Sequence, residues 1–208
     1  MIRPQPGPDC STDYRSKEVV TALKTIFHGK CYLCEDEVSD PEIEHFVPHK
    51  GDTVNEHDWN NLYYACHRCN NIKGTTQELL DCCDSSVDIS RAIKCLCPSV
   101  PEKDVIVEAQ EAAPKFQNTA KLLDKCYNEN NTGIRGISRE ALHKKIFGYY
   151  CTFIKNRMTL KDKDSLPSDQ EKAMEHLSVM AKVSCPFSIF WKWHIFSDSF
   201  LAGKISIK

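Results

Sequence analysis

The chain has 208 residues and a mass of 23.7 kDa, with 27 Lys and Arg against 29 Asp and Glu, a formal net charge of −2. Charged residues at 27% and hydrophobic ones at 41% are ordinary for a globular protein and exclude a wholly disordered chain. The most apolar run, 187–196, is interrupted by Lys192 and falls short of the ~20 apolar residues that span a bilayer. Residues 1–8 lack the apolar core of an export signal, so a cytoplasmic protein with reduced thiols is expected, and twelve cysteines then suggest metal before disulfides. A total charge near zero argues at first sight against a nucleic-acid partner. The charge is uneven, however. Residues 28–75 hold nine acidic and four basic side chains, and 135–208 hold thirteen basic and seven acidic. The basic third is a candidate contact surface, although solvated helix faces explain most such excesses.

In chain order, Val19, Val20, Leu23, Ile26 and Phe27 share one helical face, with Gly29 as the stop. Segment 30–74 differs in kind. It offers short β-like pieces at 43–47 and 62–65, many turn residues and few large apolar side chains, so a metal staple is expected. Phe116, Ala120, Leu123 and Tyr127 predict a helix over 116–127, followed by a turn-rich stretch over 128–136. A helix over 138–157 is predicted behind Ser138 as N-cap, with Leu142, Ile146, Tyr149, Tyr150, Phe153 and Ile154 as its stripe. After a polar linker at 161–167, Ser168 and Glu171 have capping-box spacing and open a helix toward Ser184. The aromatic segment after Pro186, with Phe187, Phe190, Trp191 and Phe196, is also expected to be helical, its rings packing a core. No internal repeat is visible. The expected fold class is α+β, mainly α. An N-terminal segment and helix (1–28) precede a small metal-stapled ββα unit (29–75) and a helical region (76–208), basic from 135, that docks a partner or nucleic acid.

Cys31 and Cys34, then Cys66 and Cys69, are two C-x-x-C pairs whose thiolates can converge on one ion and complete a tetrahedral Cys₄ zinc site. Cys82, Cys83, Cys95 and Cys97 could hold a second metal, but their spacing is irregular and buried free thiols are the expectation. Cys10, Cys126, Cys151 and Cys185 are isolated, with core as the default reading.

Between and just after the knuckles lie Glu44-His45, Pro48, His49, Asn61-Leu62 and Cys69-Asn70, then Lys73-Gly74. These residues supply a carboxylate beside a histidine, an Asn before a strand and an amide directly after the second knuckle. Phosphodiester hydrolysis needs a base to activate water and a hard cation to offset phosphate charge. Imidazole suits the first task, and carboxylate and amide oxygens suit Mg²⁺.

This pattern, Cys-x-x-Cys…Glu-His-x-x-Pro…Asn-Leu…Cys-x-x-Cys-Asn-x-x-Lys-Gly, resembles the HNH endonucleases of the ββα-metal class. The resemblance covers about 45 residues, with several independent elements in the same order. It implies His45 as general base and Glu44 and Asn70 as ligands of a catalytic Mg²⁺ or Mn²⁺, with Glu44 standing where Asp is usual. It also implies Asn61 as the residue that braces the loop and orients the base, and a structural Zn²⁺ on Cys31, Cys34, Cys66 and Cys69. Lys73, Arg68 and His49 become candidates to hold phosphate oxygens, while His57 and His67 are unassigned loop residues. Each has an ordinary alternative. His45 could be a core histidine, Glu44 a carboxylate that orients it, Asn61 and Asn70 turn or cap residues, and Lys73 and Arg68 solvated charges.

More loosely, residues 120–128, the helix over 142–157 and the terminal aromatic segment resemble the PtuB-type HNH effectors of Septu and retron-associated systems. That resemblance implies anti-phage defence beside an ABC- or SMC-like ATPase (PtuA). DNA is the favoured substrate, with RNA such as tRNA as the alternative. A non-catalytic zinc-knuckle binding or structural subunit is the remaining reading.

Overall fold

The computed structural model describes residues 1–130 and 137–207; the end of the turn-rich stretch expected at 128–136 lies outside them. Its elements run α1 (Lys17–Ile26), β1 (Glu42–His45), α2 (Thr53–Glu56), β2 (Leu62–Ala65), α3 (His67–Lys73), α4 (Ile89–Ala92), β3 (Ile93–Leu96) and β4 (Ile106–Ala109). Then follow α5 (Pro114–Asn128), α6 (Arg139–Lys161), α7 (Pro167–Met180) and α8 (Ser188–Ser197).

The Ser16 hydroxyl accepts from the Val19 N–H and starts α1, whose Val19, Leu23 and Ile26 are buried. Gly29, at φ +69°, donates its N–H back to the Lys24 carbonyl and ends the helix, a left-handed conformation that a side chain would oppose. Strands β1 and β2 pair antiparallel, with Glu42 opposite Ala65 and His45 opposite Leu62. α1 packs on β2, and α3 packs on β1 and α5. The expected shortage of apolar side chains in 30–74 is corrected: the segment buries Tyr32, Leu33, Trp59, Leu62, Tyr63 and Tyr64 of its own, and α1 and α5 pack against it. Tyr63 is fully buried against Phe27, Tyr32 and Phe46, with ring centroids 5.5, 4.9 and 4.9 Å away. Arg3 adds an N-terminal strap. It donates to the carbonyls of Trp59 (3.0 Å) and Leu62 (2.7 Å) and lies over the Tyr63 ring. Gly7 lies so close to the Trp59 indole that an added Cβ would come within 2.2 Å of it.

A second antiparallel pair, β3 and β4, joins Ile93 to Ala109 and Leu96 to Ile106, and it packs against α5 and α8. Periodicity had not suggested this hairpin, since four-residue strands with Lys94 and Glu108 in them carry little signal. α6 begins behind Ser138 as expected and reaches Lys161. α7 corrects the expected capping box. It starts at Pro167, where a missing N–H is harmless, so Ser168 sits inside the first turn instead of capping it. It stops at Met180, short of Ser184. On α8, the fully buried Trp191 stacks on Phe153 of α6 at 6.1 Å, and its Nε1 donates to the Pro186 carbonyl.

Three contacts join the first knuckle to these late helices. The Glu35 carboxylate accepts from the Ser188 hydroxyl and the Ile189 N–H, both at 3.1 Å, at the start of α8. The buried Lys30 ammonium donates to the Cys185 carbonyl at 2.7 Å, and Lys145 of α6 pairs with Asp36 at 2.9 Å.

Candidate active site

The two knuckles meet where α3 begins. Cys66 is the N-cap of α3, its Sγ accepting from the Cys69 N–H, so His67 is the first residue of that helix, not a loop residue. The sulfurs of Cys31, Cys34, Cys66 and Cys69 all lie within 4.8 Å of one another, with Cys34 and Cys66 3.9 Å apart. A tetrahedral ion with Zn–S bonds of about 2.3 Å separates its sulfurs by about 3.8 Å, so donor set and spacing fit a four-thiolate zinc site. Hydrogen bonds from Cys31, Cys34 and Cys69 drive the Cys66 thiol far below its usual range, whereas Cys34 is pushed well up.

Strand β1 alternates. Glu42 and Glu44 share the face that α3 covers, and Ile43 and His45 take the other. Glu44 is 4% exposed. It forms an ion pair with Lys73 at 2.5 Å and accepts from the Tyr32 hydroxyl at 2.8 Å. Burial raises its carboxyl pKa against the opposing pull of Lys73. Lys73, only 1% exposed, also donates to the His45 carbonyl at 3.0 Å. With Lys73 and Tyr32 on its oxygens, Glu44 does not present an open donor to an ion shared with Asn70. Asn70 instead donates to Glu42 at 2.5 Å. The other Glu42 oxygen meets His67 Nδ1 at 2.5 Å, and His67 Nε2 accepts from Asn71 at 2.8 Å. Partial burial opposes ionisation of Glu42, but the bonds from Asn70 and His67 outweigh it and hold its carboxyl below the usual range. Glu42 and His67 line a groove with Asp36, Glu37, Asp40 and Cys66, so this cluster is open to solvent where Glu44 is not.

On the opposite face, His45 Nε2 lies 2.9 Å from the Glu56 carbonyl. A carbonyl can only accept, so the proton of the neutral ring is on Nε2 and the lone pair on Nδ1. Tyr14 stands edge-on to the ring at 4.9 Å and His49 tilts over it at 4.6 Å. Burial lowers the His45 pKa, and His49 and Arg15 add to that, so the imidazole is neutral at neutral pH. Asn61 clamps the intervening loop. It accepts from the Val47 N–H at 2.7 Å and donates to the carbonyls of Val47 (2.8 Å) and Asn55 (3.0 Å). That clamp fixes both the exit of β1 and the turn that delivers the Glu56 carbonyl. His57 bonds the Thr53 carbonyl through Nδ1 and faces Tyr14.

Of the phosphate candidates, His49 stands beside His45, whereas Lys73 and Arg68 are buried. Arg68 donates to the carbonyls of Cys126 (3.3 Å) and Glu129 (2.6 Å) at the end of α5, an interior role that the Cys-x-x-Cys context gave no reason to expect. Glu42, Glu56, Tyr14 and Tyr32 were missed altogether. For Glu42 a signal existed, since a strand period of two places it on the face of Glu44.

Cys95 and Cys97 are buried thiols whose pKa values burial pushes up. Cys82 and Cys83 instead converge with Asp81, all three donors lying within 4.8 Å of one another.

Residues 31–76 match the family model of the HNH endonucleases. That stretch holds both knuckles, His45, Asn61, Asn70 and Lys73. The Septu protein PtuB of Bacillus mycoides (strain KBAB4) is 36% identical over 73 residues, covering 27% of this chain and 25% of that protein. The chain thus spans about a quarter of the length of the curated relative it matches. No solved structure matches it.

Proposed function

We propose that this chain is an HNH endonuclease that hydrolyses nucleic-acid phosphodiester bonds, DNA before RNA, as the nuclease effector of an anti-phage defence complex with an ABC- or SMC-like ATPase of the PtuA kind. The observation that carries the reading is the setting of His45. One ring nitrogen is pinned to the Glu56 carbonyl, the other keeps its lone pair, and the loop that supplies the pin is locked by Asn61. A neutral, oriented imidazole beside a ββα unit is what water activation at a phosphate requires. His45 Nδ1 takes the proton of the attacking water, and Asn61 acts as a positioning residue by holding the loop. His49, tilted against His45, is assigned to a phosphate oxygen in this reading.

Zinc on Cys31, Cys34, Cys66 and Cys69 is structural in this reading, because four thiolates leave no open position for substrate. A divalent cation in such a nuclease supplies charge neutralisation at the phosphate. Glu42 on the groove and the amide oxygen of Asn70 beside it are the candidate donors for one; Glu42 would exchange its bonds to His67 and Asn70 for the ion, as Glu44 would have to release Lys73. The acidic stretch 28–75 repels a polyanion, so long-range attraction falls to the basic residues beyond 135 or to a partner. Delivery by a complex follows from that imbalance.

The test is cleavage of labelled DNA and RNA by wild type and His45→Ala, with Mg²⁺ or Mn²⁺ against EDTA, and with the neighbouring ATPase present or absent. The expected result is metal-dependent DNA cleavage that disappears in the variant while zinc content and folding stay the same. Undiminished cleavage by His45→Ala would remove the assigned base, and absence of any cleavage in all arms would favour a binding module.

A further inference from the structure

Outside the HNH segment, among the described residues, one group of side chains has the chemistry of a metal site without any part in the reading above. We propose that Asp81, Cys82 and Cys83 form a second metal site, thiolate-rich and open on one side, that takes a zinc-class ion. Two sulfurs and a carboxylate oxygen lie within 4.8 Å of one another, close enough for a single ion to reach all three. Soft thiolates in this set select Zn²⁺ over the oxygen-preferring Mg²⁺ and Ca²⁺. Three protein donors leave a fourth tetrahedral position for water, unlike the closed set at the knuckles.

The surroundings point the same way. The buried thiols Cys10, Cys95, Cys97 and Cys126 are sealed in the core, whereas Asp81, Cys82 and Cys83 are all partly exposed, which gives an ion a path in. Asp81 is oriented before any ion arrives. One of its oxygens accepts from the Tyr63 hydroxyl and, at 2.7 Å, from the Cys83 N–H, and its other oxygen has no such bond among the described residues. Outer hydrogen bonds of this kind fix a ligating carboxylate in metal sites. The turn is also tight, the Asp84 N–H donating to the Asp81 carbonyl at 3.2 Å. A bound ion would hold the 81–83 turn closed, and Asp81 already ties that turn to Tyr63 on β2, whose ring stacks on Phe46, the neighbour of His45.

Metal content of the full-length chain tests this without reference to cleavage. The protein is prepared with Zn²⁺ and a reductant, desalted, and measured by elemental analysis and native mass spectrometry. Two zinc ions per chain are expected in the wild type. One is expected in the Cys82→Ser/Cys83→Ser double variant, with the circular dichroism spectrum unchanged. Asp81→Ala should give up one ion to a chelator sooner than wild type while retaining the other. A single ion in the wild type, two in the Cys82/Cys83 double variant, or a Cys82–Cys83 disulfide in place of metal would each overturn the proposal.

Discussion

Between Cys31 and Lys73 the interior threads linked polar groups among its aromatic rings. It holds four thiols, a Lys–Glu pair, a tyrosine hydroxyl and an asparagine that makes three hydrogen bonds. Among α6, α7 and α8 the interior is aromatic and aliphatic, with Phe153, Leu177 and Trp191 at its centre. The first kind of interior tolerates little, because each polar group depends on a specific partner. The second depends on volume and degrades by degrees. That contrast suits a reactive surface held by a passive scaffold, and it can be broken experimentally from both sides.

The largest effect belongs to the knuckles. Four-thiolate zinc is worth on the order of 10–16 kcal/mol of apparent binding free energy at neutral pH. Chelation or Cys66→Ser should therefore unfold β1, β2 and α3, while most of the helical signal from α6 and α7 survives. Hydrogen exchange resolved by segment checks this, and loss of protection throughout would erase the contrast. Next comes His45→Ala, which should lower the cleavage rate by about 10²–10⁴-fold at unchanged thermal stability. In the wild type, the acid limb of the pH–rate profile should lie below the ordinary imidazole value of about 6.5, since burial favours the neutral ring.

Third, Glu44→Gln should cost roughly 3–5 kcal/mol in denaturant unfolding, because it strands a buried ammonium. Replacing both Glu44 and Lys73 by methionine should recover much of that loss. Glu42→Gln, on the open side of the same strand face, should leave stability nearly unchanged and weaken Mn²⁺ binding. If Glu44→Gln were as mild as Glu42→Gln, the buried pair would not be the support described. The smallest effect is expected in the helical region, where Ile146→Val should cost about 0.5–1.5 kcal/mol with zinc content and cleavage intact.

Much of this was legible in the sequence because the signals were local. Ser138 as a cap, the stripes of α1, α5 and α6, and the two Cys-x-x-Cys pairs each act within a few residues. The matched HNH segment also has a residue order that survives without knowledge of the fold. What could not be read depends on distant partners. Arg68 and Lys73 look like surface cations until α5 and β1 close over them. Glu42 and Glu44 look equivalent until one is covered and the other faces a groove. Asp81 became a possible donor beside Cys82 and Cys83 only through geometry, since adjacent cysteines carry no spacing signal.

The Glu35 carboxylate at the start of α8 has a consequence for how the protein is made. It bonds residues 153 and 154 positions further along the chain. Translation at about 5–20 residues per second puts many seconds between these two partners emerging from the ribosome. During that interval the loop after the first knuckle lacks its anchor, and the chain remains short of its finished arrangement. The loop after the first knuckle is thus anchored only once α8 has been synthesised, so chains truncated or stalled before Ser188 should have an unlocked first knuckle.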